Sequence, residues 1–166
     1  PEPSVRGIAA KALGSMMKGM GEDTFPDLVP WLLSTLKADG SSVDRSGAAQ
    51  GTAEVLHSLG VEKLDALFPE FVQGTNHQFA HVREGHMLMF VYLPVTFQDS
   101  FLPYVERVIP CVLRGIADIE EGVRSTSMRA GTGIIANFAE LSIDLLLPEL
   151  EAGILDDNWR IRESSV

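Results

Sequence analysis

The sequence predicts an all-α fold, an α-α superhelix in which about nine helices pair antiparallel along a solenoid. Two residue types recur along the chain at a nearly constant interval. Evenly spaced arginines are Arg6, Arg45, Arg83, Arg124 and Arg162. Prolines recur at almost the same interval, as Pro30, Pro69, Pro110 and Pro148. A period of about 40 residues is typical of solenoids built from helical pairs.

A helix follows each recurring arginine. Apolar or small residues stand six, ten and fourteen residues after each of the first four arginines, and these offsets share one face of a helix. The first copy shows the pattern with Val5, Ile8, Ala12, Met16 and Met20. We call these segments the arginine helices.

A second amphipathic helix surrounds each recurring proline. Apolar residues stand five residues before the proline, one before it and two after it in all four copies. A proline near the middle of a helix removes a backbone hydrogen bond and bends the helix. We call these segments the proline helices and predict a kink at each of the four prolines.

Turn-forming residues separate the two helix types. Asp39–Ser42 and Asp156–Asn158 supply chain reversal and capping oxygens before arginine helices. Alternation of the kind that marks β-strands is absent from the sequence. The predicted helices span roughly 5–20, 23–38, 42–59, 62–75, 79–97, 99–117, 121–139, 141–155 and 158 onward. One array, 1–166, then divides into repeats near 1–21 (partial), 22–60, 61–97, 98–139 and 140–166 (partial).

Composition restricts the function. With 13 basic and 23 acidic residues the net charge is −10, which disfavours strong phosphate contact by this chain, although a local basic stripe stays possible. The single Cys111 excludes an internal disulfide framework and suits a reducing compartment. Neither a signal peptide nor an apolar run of transmembrane length is visible, so we expect no membrane contact. The chain begins with Pro1, and we interpret it as a piece of a longer protein.

Charged residues at the turns predict a ladder along the stack. Six residues before three of the arginines stand aspartates, whereas the third repeat has His77 there. An aspartate at a turn and an arginine in the next helix are well placed to link neighbouring repeats. The predicted members are Asp39, Arg45, Arg83, Asp118, Arg124, Asp156 and Arg162. Catalytic carboxylates would have to converge, but packed helices string these aspartates about 10 Å apart.

Other reactive residues favour structural roles. His77, His81 and His86 form the one histidine cluster in the sequence, but a zinc site needs three or four convergent ligands, so solvated or core histidines are expected. Trp31 and Trp159 are interpreted as core or inter-repeat packing, with an exposed partner anchor as the alternative. We therefore expect no enzyme activity, no cofactor and no metal.

The helical pair, its recurring proline and its Asp/Arg ladder together resemble HEAT repeats. Certain stretches resemble more closely the general control non-derepressible translational activators, a family of very large HEAT-repeat proteins of eukaryotes. These stretches are Arg45–Gly51, Leu59–Leu64, Tyr104–Ile116 and Asp156–Val166, the last with the unusual Trp159-Arg160-Ile161-Arg162 run.

The resemblance implies a non-enzymatic scaffold in the cytosol, associated with polysomes and with stalled ribosomes. The family carries the starvation signal to the kinase that phosphorylates the alpha subunit of initiation factor two. It also binds an ABC-type ATPase through a central region, and this chain would lie within that region or next to it. The kinase contact is expected outside this segment. Which face binds partners, and whether RNA is touched directly, stays open.

Two other functions are compatible with a helical repeat. The chain could come from a HEAT scaffold of another system, such as a nuclear transport receptor or a phosphatase regulatory subunit. A helical-repeat nucleic-acid glycosylase would need a basic groove and a catalytic carboxylate beside stacking aromatic residues. The net charge of −10 argues against this enzyme.

Overall fold

A computed structural model of the chain describes residues 3–138 together with Pro148, Glu151, Trp159 and Arg162. Within this part the fold contains seven α-helices and no strand, so the prediction of an all-α helical repeat is confirmed. The helices are α1 (Pro3–Met20), α2 (Leu28–Lys37), α3 (Ser42–Leu59), α4 (Val61–Gly74), α5 (Ala80–Phe97), α6 (Leu102–Ile116) and α7 (Glu121–Asn137). Of the helices predicted at 141–155 and from 158 onward, only Pro148, Glu151, Trp159 and Arg162 are described, and these four residues are helical.

The arginine helices form a continuous layer. Helix α1 packs on α3, α3 on α5, and α5 on α7. Among the proline helices, α2 packs on α3 and α6 packs on α7. The core between the layers is apolar, and its largest fully buried aromatic residues are Phe68, Phe71, Phe90 and Phe101. Burial of these rings supplies the main driving force for stacking the helices.

Close approach between helices requires glycine at particular positions. A Cβ added at Gly85 of α5 would collide with the carbonyl oxygen of Leu36 in α2. A Cβ at Gly115 of α6 would collide with Oγ of Ser127 in α7. A larger residue at either position would therefore push two helices apart.

The second predicted helix begins five residues later than the sequence pattern indicated. A short 3-10 helix, Glu22–Thr24, precedes α2, which begins at Leu28. Pro30 is consequently the third residue of α2, in the first turn, where a missing N–H removes no helical hydrogen bond. The prediction of a mid-helix kink is wrong for Pro30.

The other prolines lie differently. Pro69 and Pro110 are inside α4 and α6, and a bend at these positions stays a prediction. Pro148 is helical and exposed, but its neighbours lie outside the described residues. Pro94 inside α5 was not predicted, because no other repeat carries a proline at the equivalent position.

No helix in the described part of the chain is both long enough and apolar enough to cross a membrane.

Candidate functional site

Three of the recurring arginines, Arg45, Arg83 and Arg124, close the turns that precede their own helices. In each case Nη1 donates hydrogen bonds to backbone carbonyl oxygens five to seven residues earlier. The acceptors are Ala38 and Gly40 for Arg45 (3.3 and 2.6 Å), His77 and Gln78 for Arg83 (2.9 and 3.1 Å), and Asp118 and Ile119 for Arg124 (2.8 and 2.7 Å). Each guanidinium thereby satisfies carbonyls that a short turn leaves without a helical partner.

Arg83 also reaches forward to the next repeat. Its Nε and Nη2 donate to the two carboxylate oxygens of Asp118 at 2.7 and 2.8 Å, and the backbone N–H of Glu120 donates to Oδ1 at 2.9 Å. The two side chains are only 13% and 12% exposed. A bidentate, shielded pair of this kind is among the stronger polar contacts in proteins.

The pairing shifts the pKa values of both Asp118 and Arg83. Burial alone would raise the pKa of Asp118, but the hydrogen bonds from Arg83 and from the backbone of Glu120 outweigh burial and leave the pKa below its ordinary value. The hydrogen bond to Asp118 raises the pKa of Arg83 in return. Both groups therefore remain charged at neutral pH.

We call each arginine–carboxylate pair between neighbouring repeats a rung. In the rung before Arg83–Asp118 the carboxylate comes from a glutamate. Arg45 Nη2 pairs with Oε2 of Glu84 at 2.5 Å, and these side chains are 7% and 14% exposed. Glu84 follows Arg45 by one repeat interval, so the spacing could have revealed it. The sequence prediction does not include Glu84, because the ladder pattern pairs each arginine with the residue six positions before it.

Asp39 does not take the predicted position on the ladder. Its side chain is 87% exposed, and Oδ1 lies 3.7 Å from Nδ1 of His81 instead of bonding Arg45. An exposed aspartate loses little by staying in water, whereas Glu84 approaches Arg45 from the next arginine helix. Asp156 lies outside the described residues, and the part of Arg162 in the ladder stays a prediction.

The proline helices α4 and α6 are linked by a side-chain hydrogen bond and a cation–π contact. Between α4 and α6, the hydroxyl of Tyr104 donates to Oδ1 of Asp65, and Arg107 lies 4.7 Å above the ring of Phe68. Burial and the bond to Asp65 raise the pKa of Tyr104 to about 12.

Between α2 and α4 a groove of about 490 Å³ stays open. Its apolar wall includes Val29, Leu33 and Leu67. Lys37–Glu70 (2.9 Å) spans its edge, with side chains 41% and 42% exposed. We call this feature the α2–α4 groove.

The histidines separate into a core residue and two surface residues. His86 is 2% exposed, with Nδ1 2.8 Å from the carbonyl oxygen of Val82, and burial lowers its pKa. His77 and His81 both contact the ring of Phe79 at the start of α5. In the described part of the chain no three histidine, cysteine or acidic side chains converge as metal ligands would.

The tryptophans are not buried. Trp31 is 59% exposed at the rim of an apolar groove of about 310 Å³ between α1, α2 and α3. Trp159 is 54% exposed, although it does make contacts within the chain. The core interpretation is wrong for both indoles, because hydrophobic periodicity alone does not show whether a neighbouring helix covers a residue, and packing between repeats stays a prediction.

Comparison with known proteins agrees with the repeat architecture. Over 168 aligned residues the whole chain is 57% identical to the mouse and human proteins named stalled ribosome sensor GCN1. It is 46% identical along its whole length to the yeast eIF-2-alpha kinase activator GCN1. By sequence, the chain belongs to the GCN1 family. It corresponds to one segment of these proteins, since it spans about 6% of the length of the mouse, human and yeast members.

A plant relative extends the match. The Arabidopsis protein ILITYHIA is 48% identical over 86% of this chain. No model of a protein family matches the chain, and no solved structure matches it. The GCN1 relationship therefore rests on these full-length proteins and on the helical repeat described above.

Proposed function

We propose that the chain is a non-enzymatic scaffold segment of a translational activator that senses stalled ribosomes and promotes activation of the eIF-2-alpha kinase. The observation that carries the proposal is identity of 46–57% along the whole chain to GCN1 proteins with these names. The relatives' names describe a sensor and an activator, and they give no support to a transport receptor, a phosphatase subunit or a glycosylase.

The buried ion pairs between neighbouring repeats support a scaffold role. In a solenoid each repeat touches its neighbours, so small changes at one interface alter the direction of everything beyond it. The shielded rungs Arg45–Glu84 and Arg83–Asp118 fix successive interfaces. The segment would hold ribosome-bound partners at a set distance and angle.

The partners follow from the family. In the parent protein the segment would act at the ribosome, in polysomes of the cytosol, within or beside the central region that binds an ABC-type ATPase. The contact with the kinase would lie outside this segment. Direct contact of the segment with ribosomal RNA is left to experiment.

A chimera tests the proposal. The chain would replace the matching segment of yeast GCN1, and phosphorylation of eIF-2-alpha would be followed during amino-acid starvation. We expect the chimera to support phosphorylation. Arg83→Ala should lower the signal, and a charge swap, Arg83→Asp with Asp118→Arg, should recover part of it because the pair is restored.

Two controls make the result interpretable. Each chimera must accumulate to the level of the parent protein and must sediment with polysomes, since a lost signal from degraded protein would say nothing about geometry. Full signal from the Arg83→Ala chimera would contradict the scaffold role of the rungs. Absence of signal from the unaltered, stable chimera would contradict the proposed function.

A further inference from the structure

Phe79 occupies a helix-capping position that phenylalanine cannot cap. It is the N-cap of α5, with φ −88° and ψ 128°, and its side chain makes no capping hydrogen bond. The equivalent residue of α3 is Ser41, whose Oγ accepts from the backbone N–H of Asp44 at 3.1 Å. Serine is among the best N-cap residues, and apolar residues are among the worst.

The ring of Phe79 is not used in the core either. The side chain is 52% exposed. Its ring stacks on His81 at a centroid distance of 5.5 Å and an interplanar angle of 8°, and His77 lies 5.4 Å away at 44°. We call these three side chains the ring column. A residue that breaks a local rule without a compensating gain in packing is a candidate for function.

Hydrogen bonds from Arg83 hold the backbone of the turn that carries the ring column. Arg83 Nη1 binds the carbonyl oxygens of His77 and Gln78, and the backbone N–H of Phe79 donates to Nδ1 of His77 at 3.2 Å. The same guanidinium is clamped by Asp118. These bonds fix the backbone that carries His77 and Phe79, so a ligand would lose little entropy in ordering this turn.

One exposed carboxylate lies beside the ring column. Asp39 is 87% exposed, and its Oδ1 lies 3.7 Å from His81 Nδ1 at one end of the column. The cations of Arg45 and Arg83 are 7% and 13% exposed and are already paired. The N-terminus of α5 opposes a bound cation, and the Asp39 carboxylate is the counter-charge that offsets it.

We propose that the ring column His77–Phe79–His81, together with Asp39, binds an arginine side chain in an extended basic segment of a partner protein. A guanidinium is planar, stacks on aromatic faces and bonds a carboxylate with parallel N–H groups. Single-stranded RNA could also stack on the rings, but its phosphates would meet Asp39 in a chain of net charge −10. The proposal goes beyond the scaffold function, because the site would exist whether or not the segment sets ribosome geometry.

Titration of the isotope-labelled chain tests the site. The probes are a short glycine–arginine peptide, the matching glycine–lysine peptide and an oligouridylate of similar length. Amide chemical shifts report where each probe binds, and fluorescence anisotropy gives its dissociation constant. We expect the arginine peptide to shift the amides of residues 77–81 and to bind more tightly than the lysine peptide.

Variants separate binding from folding. Phe79→Ser should weaken binding of the arginine peptide by about tenfold while leaving the thermal midpoint unchanged or higher, since serine restores an N-cap. Asp39→Asn should weaken binding and reduce its dependence on salt. Met128→Ser, at an exposed position of α7, is the matched control and should bind as the unaltered chain does.

Several outcomes would overturn the proposal. These are no shift at residues 77–81, equal binding by Phe79→Ser, or equal affinity for the lysine peptide. Tighter binding of the oligouridylate at the ring column would also overturn it and would assign the site to nucleic acid.

Discussion

The arginine helices and the α2–α4 groove show two ways of holding neighbouring repeats together. Helices α1, α3, α5 and α7 pack in that order. The ion pairs Arg45–Glu84, between α3 and α5, and Arg83–Asp118, between α5 and the turn before α7, are 7–14% exposed. Across the α2–α4 groove the Lys37–Glu70 tie is 41–42% exposed. Exposed ion pairs contribute about 0–1 kcal/mol, whereas removing one member of a buried pair costs about 3–5 kcal/mol.

The difference indicates where the stack is specified. Interfaces between arginine helices combine close packing with shielded ion pairs, so a change there disturbs both repeats. The α2–α4 groove can widen with little loss, because its bridging charges are already half solvated. We therefore expect the arginine helices to set the geometry of the stack.

The largest loss of stability is expected where a backbone lies closest to an arginine helix, at Gly85 of α5. Gly85→Ala would drive a Cβ into the carbonyl oxygen of Leu36, so α2 must move away from α5. We expect a loss of about 3 kcal/mol in the free energy of unfolding, measured by urea denaturation.

Gly133→Ala in α7 is the matched control, since nothing lies within 4 Å of its added Cβ. It should stabilise the chain by up to about 1 kcal/mol through helix propensity. Equal stability of the two alanine variants would contradict close packing at Gly85.

Next in size is removal of the Arg83 guanidinium. Arg83→Ala leaves the Asp118 carboxylate shielded without its partner and should cost about 2 kcal/mol at pH 7. The pKa of Asp118 is lowered in the folded chain, so its stabilisation is present above its unfolded pKa of about 4 and is lost as pH falls through the folded pKa.

Urea unfolding between neutral and acidic pH measures this effect. The unaltered chain should lose stability below about pH 4, and Arg83→Ala should lack this part of the loss. Arg83→Lys, which keeps the charge but not the bidentate geometry, should fall between the two. An Arg83→Ala profile parallel to that of the unaltered chain would count against the rung.

A smaller, separate pH effect should come from His86. Burial lowers its pKa, so the unfolded chain binds a proton more readily than the folded chain does. Stability is complete above the unfolded pKa of about 6.5 and decreases as pH falls below it. Thermal unfolding should show this decrease in the unaltered chain and not in His86→Leu. An identical decrease in both would assign it to other groups.

The smallest effect should come from the α2–α4 groove. Lys37→Ala removes the Lys37–Glu70 pair, and we expect a loss below about 1 kcal/mol, further reduced in high salt. Urea denaturation at low and high salt measures it. A loss as large as that of Arg83→Ala would remove the distinction between the two regions.

Much of this fold follows from the sequence, because period and burial pattern are linked. The helices α3, α4, α5 and α7 begin within one residue of their predicted starts or at them. The sequence pattern places the start of α2 too early, because Pro30 shares its period with Pro69 and Pro110, which lie inside their helices. Proline is also well suited to the first turn of a helix, and Pro30 lies there. Residues that share a period need not share a position within their helices.

Fewer features of the candidate site can be predicted from the sequence. The carbonyl contacts of Arg45 and Arg83 depend on turn geometry, which residue spacing does not describe. Glu84 could have been found at one repeat interval from Arg45. The exposure of Phe79 could not, since apolar residues at helix starts are usually assigned to the core.

Two double-mutant cycles, measured by urea denaturation, test the central claim most directly. One cycle removes Arg83 and Asp118 singly and together, and the other does the same with Lys37 and Glu70. Our account predicts a coupling energy of about 1.5 kcal/mol or more for Arg83–Asp118 and about 0.5 kcal/mol or less for Lys37–Glu70. Equal coupling energies, or a larger value at the α2–α4 groove, would contradict the claim that the arginine helices set the geometry of the stack.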